Sequence, residues 1–177
     1  AQGPIKETGV ETDFAIRGDG FFVVEKDGET FLTRSGNFFI NNQGELVTQF
    51  GNAHYRVLSP DGNPIVIDPI NNGPWELLPD GTIQQPGARQ RLALVEPTSY
   101  DSLRRVGENL FQPLDGYEEL PAERRNVVAG HLEMSGVQPT AEMVDMITTS
   151  RLLEANLNMM QTQDQMLSGL FNRVMRV

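Results

Sequence analysis

The residues best able to do chemistry in this chain are few and scattered. There are two histidines, His54 and His131, and no cysteine. The imidazoles lie far apart in sequence, and neither sits in a cluster of ligand-type residues. A surface or strand-edge histidine is therefore the reading, rather than a metal ligand or general base. The missing thiol excludes thiolate catalysis and Cys-ligated metals. Gly18-Asp19-Gly20-Phe21-Phe22-Val23 resembles a dinucleotide loop only in outline. Val23 stands where the third glycine belongs, and no helix follows to bring its dipole to a phosphate. Gly18 and Gly20 are read instead as a structural turn between two strands. The acidic pair Glu118-Glu119 lies in a polar stretch and reads as solvated charge. Trp75, Tyr55 and Tyr100 could stack on a sugar, but three scattered aromatics more simply fill a core or an edge. No catalytic residue, cofactor site or metal site is assigned, and the chain is read as a non-enzyme.

Composition narrows the partners. Of 177 residues, 14 are basic and 24 acidic, giving a formal charge of −10. Nucleic acid and anionic lipid both call for clustered basic residues, so neither is expected as a partner. No stretch is long and apolar enough for membrane insertion, and the first residues carry no signal-peptide core. The absence of cysteine also suits a protein that leaves the cell unfolded.

These residues must be positioned by a β-rich region. From about Asp13 to Met134, short apolar runs alternate with turn residues. Asp13-Phe14-Ala15-Ile16 leads through the glycine turn to Phe21-Phe22-Val23-Val24, and Asp27-Gly28 then signals a hairpin into Phe31-Leu32-Thr33. Further turns fall at Asn41-Asn42-Gln43-Gly44, Asp61-Gly62 and Asp80-Gly81. The spacing predicts a mainly β fold, an irregular β-sandwich or barrel-like domain. A helical turn is expected near Ser99–Arg105, a polar loop over Asp115–Asn126, and one last strand over Val127–Met134.

Beyond Gly136 the texture changes. Pro139 and Thr140 mark a helix start, and Glu142 sits where the helix dipole favours a carboxylate. Met143, Met146, Leu153, Leu157, Met160, Leu167, Phe171 and Val174 then recur in steps of three and four, with Ser150 and Asp164 completing the heptad series. A long amphipathic, coiled-coil-type helix is predicted over 140–177, roughly 55 Å long at its helical rise. A β domain of this size is only about 30–40 Å across, so the helix either projects or folds back. Six of the seven methionines lie in this segment. Methionine adapts to imperfect grooves, which suits an intermolecular seam; an ordinary core stripe is the alternative.

Several segments together resemble the flagellar rod and hook axial proteins. Asp13 through Val24 is similar to that family's D-x-A-I-x-G-x-G-F-F signature, Thr33-Arg34-Ser35-Gly36-Asn37-Phe38 to T-R-x-G-x-F, and Gly44-Glu45-Leu46-Val47-Thr48 to G-x-L-V-T. Asp80-Gly81-Thr82-Ile83 and Gly107-Glu108-Asn109-Leu110-Phe111 resemble later family elements. Gly130-His131-Leu132-Glu133-Met134-Ser135-Gly136-Val137 resembles the segment before the family's C-terminal helix, and Gln163-Asp164-Gln165-Met166-Leu167 a part of that helix. Their order and spacing carry the resemblance across nearly the whole chain. Leu94–Pro97 and Ser135–Pro139 are similar to the proximal-rod type, Gln163–Leu167 to the distal-rod type. A hook protein usually carries an added domain.

The resemblance implies a structural subunit of the basal-body rod, polymerising through terminal helices into the axial drive shaft that passes torque to the hook. It implies a periplasmic place in the basal body, export without a cleaved signal peptide, and partners among copies of itself and other axial proteins. On this reading 1–12 is a linker from an N-terminal helix absent from the sequence, 13–136 the β domain and 137–177 the assembly helix. A secreted β-rich binding module, an adhesin or sugar-binding domain on an oligomerising helix, is the alternative.

Overall fold

The computed structural model describes residues 3–68, 73–107 and 109–135, together with 146, 149–153, 156, 157, 159 and 160 of the C-terminal segment. By compactness the chain divides into Ala1–Gly136 and Val137–Val177.

The first unit is mainly β, and every strand pairing in it is antiparallel. Its centre is the hairpin of β3 (Phe21–Lys26) and β4 (Glu29–Thr33), closed by Asp27-Gly28. Both turn residues take positive φ, 54° and 83°, as a two-residue hairpin of the right twist demands. β3 explains its own sequence. Alternate side chains of a strand point to opposite faces, and here both faces are covered. Phe22 and Val24 join the larger core with Phe14, Phe38, Leu46, Val57, Ile65 and Ile67. Phe21 and Val23 join a second cluster with Leu32, Leu58, Ala93 and Val95. A strand buried on both sides needs an unbroken apolar run, so Phe21-Phe22-Val23-Val24 does not alternate.

Around this hairpin the sheet extends both ways. β13 (Leu110–Pro113) joins β4, and β12 (Leu103–Gly107) joins β13. On the other side β7 (Ala53–Val57) joins the second half of β3, followed by β6 (Leu46–Phe50) and β5 (Phe38–Ile40). β11 (Leu94–Pro97) takes the first half of the same edge of β3 and pairs onward with β14 (Tyr117–Glu119). Three small sheets flank it. β1 (Ile5–Glu7) pairs with β16 (His131–Glu133), β2 (Phe14–Ile16) with β15 (Val127–Ala129), and β9 (Thr82–Gln85) lies between β8 (Glu76–Leu77) and β10 (Ala88–Arg91).

Four sequence expectations are corrected here. There is no closed barrel: β5 and β12 end the sheet's main path and do not pair with each other. β12 is an exposed strand carrying Arg104 and Arg105, with a bulge before Gly107, features that keep an edge from pairing. The stretch expected as a polar loop holds β14 and a 3-10 turn at Ala122–Arg124. Between them Leu120, 1% exposed, donates its N–H to Leu94 O at 2.8 Å; its acidic neighbours on an edge strand masked a core position. The single last strand is broken at Gly130, where φ is +70°, into β15 and β16, which pair with different partners. Finally, the expected linker 1–12 contains β1, whose register with β16 runs from Ile5↔Glu133 to Glu7↔His131. The helical turn near Ser99 is a 3-10 turn at Tyr100–Ser102, after which Leu103 begins β12.

In the second unit the described residues Met146, Thr149–Leu153, Asn156, Leu157, Met159 and Met160 are helical. The full helix expected over 140–177 otherwise lies outside the described residues.

Candidate functional site

Gly18 and Gly20 sit at a junction between sheets rather than in a hairpin. β2 ends at Ile16 in the sheet with β15, while β3 begins at Phe21 in the large sheet. Gly18 and Gly20 take φ of 102° and 121°, conformations costly for any residue with a Cβ. At Gly20 space is also refused: a Cβ would lie 2.3 Å from Leu120 Cδ1.

The carbonyls of this turn converge on one side chain. Arg34, just after β4, donates from Nη1 to Gly20 O at 2.7 Å and from Nη2 to Gly18 O at 2.9 Å, with Ile16 O at 3.5 Å. Its Nε donates to Glu133 Oε2 at 2.8 Å, and Nη2 lies 2.7 Å from the same oxygen. Glu133 accepts the backbone N–H of Gly3 on its other oxygen at 2.9 Å. Both side chains are largely buried, 22% and 11% exposed. A guanidinium is needed because its fixed fork reaches a carboxylate and several carbonyls at once, which a lysine cannot do. The ring of Phe21 lies beneath it, 6.0 Å from centroid to guanidinium carbon.

Two residues on, Gly36 makes the closest backbone approach. Phe14 donates its N–H to Gly36 O at 2.9 Å, and a Cβ on Gly36 would lie 1.8 Å from Phe14 O. Arg34, Gly36 and Glu133 were missed as site residues in the sequence, although each lies within a motif. The available signal was a charged residue at the end of a strand run, Arg34 after Phe31-Leu32-Thr33 and Glu133 after Leu132. The segments of the chain that most need one another are thus the glycine turn, Thr33–Phe38 and His131–Glu133.

In the C-terminal segment, four of the eight predicted seam residues are described, and all are exposed: Met146 at 71%, Leu153 at 62%, Leu157 at 50% and Met160 at 62%. Leu152 and Met159, off the seam, are exposed as well. Met143, Leu167, Phe171 and Val174 lie outside the described residues.

These motif segments coincide with known families. A model described as the flagellar hook protein FlgE/F/G D1 domain matches residues 15–86, and one described as the flagellar basal body rod FlgEFG protein C-terminal matches residues 128–172. The flagellar basal-body rod protein FlgF of Caulobacter vibrioides is 34% identical over 177 aligned residues, covering 99% of this chain and 71% of that protein. The chain belongs to the flagellar basal-body rod protein family. The rod protein FlgG of Bacillus subtilis is 31% identical, with 94% of this chain and 67% of its own length covered. FlgG of Borreliella burgdorferi is 32% identical, with 99% and 69% covered. The alternative of a secreted adhesin or sugar-binding module finds no support among these relatives.

In this rod-family chain the remaining candidates for chemistry are dispersed. His54 lies on β7 with its ring 5.6 Å from that of Phe39, while His131 on β16 places Nδ1 2.7 Å from Ala129 O. Among the described residues, no three His, Asp or Glu side chains are grouped to hold a metal ion. Trp75 packs edge-on against Phe14 at 6.0 Å, and Tyr55 lies between Phe31 and Phe50. Glu119 pairs with Arg91 at 3.1 Å and with Arg125. Tyr100 hydrogen-bonds to Glu96, which also pairs with Arg124 at 2.9 Å. Loss of water around the Tyr100 phenol, then the carboxylates of Glu96 and Asp19, raise its pKa above the ordinary value.

Proposed function

We propose that this chain works as a structural, non-catalytic subunit of the flagellar basal-body rod, and that its C-terminal segment makes the subunit contacts. In this reading 137–177 forms one long coiled-coil-type helix. Its seam of Met143, Met146, Leu153, Leu157, Met160, Leu167, Phe171 and Val174 packs against copies of the chain and other axial proteins. The β unit dresses the shaft, which transmits torque to the hook from a periplasmic position after export without a cleaved signal peptide. One observation carries this: in a member of a rod family, helical residues at heptad spacing expose large apolar side chains. Single exposed leucines are ordinary; a stripe of them is a surface awaiting a partner.

The test is a paired measurement. A charge at mid-seam would be buried against the partner helix without a counter-ion, at a cost of several kcal/mol in each subunit. Leu153→Glu or Leu157→Glu should abolish rod assembly and motility while leaving the melting of the β unit nearly unchanged. Arg173→Glu, off the seam by the same heptad count, should be milder. If Leu157→Glu lowers the β unit's stability as sharply as it disturbs assembly, the stripe is an internal one and the reading fails.

A further inference from the structure

A second surface of the β unit has the marks of a contact between copies. Glu7 of β1, Glu11 of the following loop and Glu76 of β8 line an open groove of about 390 Å³ together with half-buried Trp75 and Leu77 and with His131. The three carboxylates are exposed and make no ion pair among the described residues. Among the described residues no lysine or arginine lines the groove. Acids around an aromatic ring suit a cation carried on an apolar segment, because the indole face attracts a guanidinium as the carboxylates do.

The same chain presents that segment. β12 is an edge strand whose outer side has no strand partner among the described residues, and its sequence Arg104-Arg105-Val106 is exposed. Val106 is 49% exposed, Arg104 hydrogen-bonds to Gln112, and neither Arg104 nor Arg105 makes an ion pair among the described residues. Two β12 edges repel each other, so self-complementary pairing is disfavoured, while the acidic groove attracts the edge.

We infer that the Glu7–Glu11–Glu76 groove of one copy receives the Arg104–Val106 edge of a second copy, with basic and apolar side chains of that edge set against the carboxylates and Trp75. The two patches differ, so the contact is heterologous. Repeated, it builds a ring or an open helical array rather than a closed pair. It extends the rod-subunit reading and does not use the helix seam.

Because the chain has no cysteine, cross-linking tests this cleanly. Ala129→Cys, on the exposed groove wall, and Val106→Cys are placed in separate copies, both in a Leu157→Glu background that removes the seam, and mixed under mild oxidation. A disulfide between unlike copies should form at low ionic strength and fall roughly tenfold at high salt, where exposed charges are screened. Glu11→Arg with Glu76→Arg in the groove copy should reduce it as much. Adding Arg104→Glu with Arg105→Glu to the Val106→Cys copy should restore it. A yield indifferent to the charge reversal, or no recovery on the swap, would overturn the inference. Loss of all cross-linking at low salt would do the same, and would point to a basic partner other than this chain. Failure of the helix seam would instead show only in the Leu157 comparison.

Discussion

Phe14, Ile16, Phe22 and Leu32 in the first unit are at most 1% exposed, while Leu153, Leu157 and Met160 in the second are 50% exposed or more. Both regions spend apolar residues freely, and they spend them on different things. The first unit closes its carbon inward and ties its polar joints with short bonds. The second leaves leucine and methionine on a helix surface, where burial of each side chain is worth about 1.5–3 kcal/mol to whatever covers it. On the proposed reading the difference separates two requirements of a building block, a rigid body and an adhesive stripe.

That contrast can be broken from the rigid side. Gly36→Ala should have the largest effect, because the new Cβ would lie 1.8 Å from a backbone oxygen that cannot rotate away. A loss of more than about 3 kcal/mol is expected in denaturant titration of the β unit, or failure to fold. Arg34→Ala should cost about 2–4 kcal/mol, since it strips Glu133 of its counter-ion and leaves turn carbonyls without a donor. Arg34→Lys should recover only part of this. Gly20→Val should cost roughly 1–3 kcal/mol through its positive φ and the collision with Leu120. Trimming Leu120 to Ala in the same chain should relieve the steric part and leave the conformational part, giving a non-additive double mutant. Neutral behaviour of either glycine variant would show that the body is more yielding than its contacts suggest.

The smallest effect is a titration. The backbone N–H of Gly28 at the hairpin turn, then Arg56, hold the Glu25 carboxyl below its ordinary value of 4.5 against the opposing loss of water. A carboxyl whose pKa is depressed in the folded state stabilises that state above its unfolded pKa, and the contribution fades as pH falls through the folded value. The β3–β4 turn should therefore loosen only below about pH 4.5, seen as faster Gly28 amide exchange relative to neighbouring amides. Glu25→Gln should remove that pH dependence.

What could be read in the sequence was local. Asp27-Gly28 announces its hairpin because the turn's positive φ is demanded by two adjacent residues. The double-faced burial of β3 shows as a run of four apolar residues. Gly36 looked like any loop glycine, since the demand on it comes from Phe14, distant in the chain and near only once folded. Leu120 was hidden among acids for the same reason. Arg34 was visible as a motif letter but its role was not, because its partners at Gly18, Gly20 and Glu133 belong to three elements. The groove and the β12 edge were equally invisible, as only tertiary structure gathers Glu7, Glu11 and Glu76.

The pairing of β1 with β16 has a kinetic consequence. Lys6 meets Leu132 across almost the whole β unit, and the entropy of closing a loop rises with its length. Contacts so distant in sequence are expected to form after the local hairpins have shortened the chain between them. Gly3 and Glu133 are then expected to join late, after the glycine turn that receives Arg34. The side-by-side arrangement of Pro4 and Met134, where Met134 donates its N–H to Pro4 O at 2.9 Å, becomes a report of completion. If the pairing does form late, the two strand ends lie together only in a copy whose intervening strands have folded, and on the proposed reading an incomplete copy would present a different geometry to its neighbours.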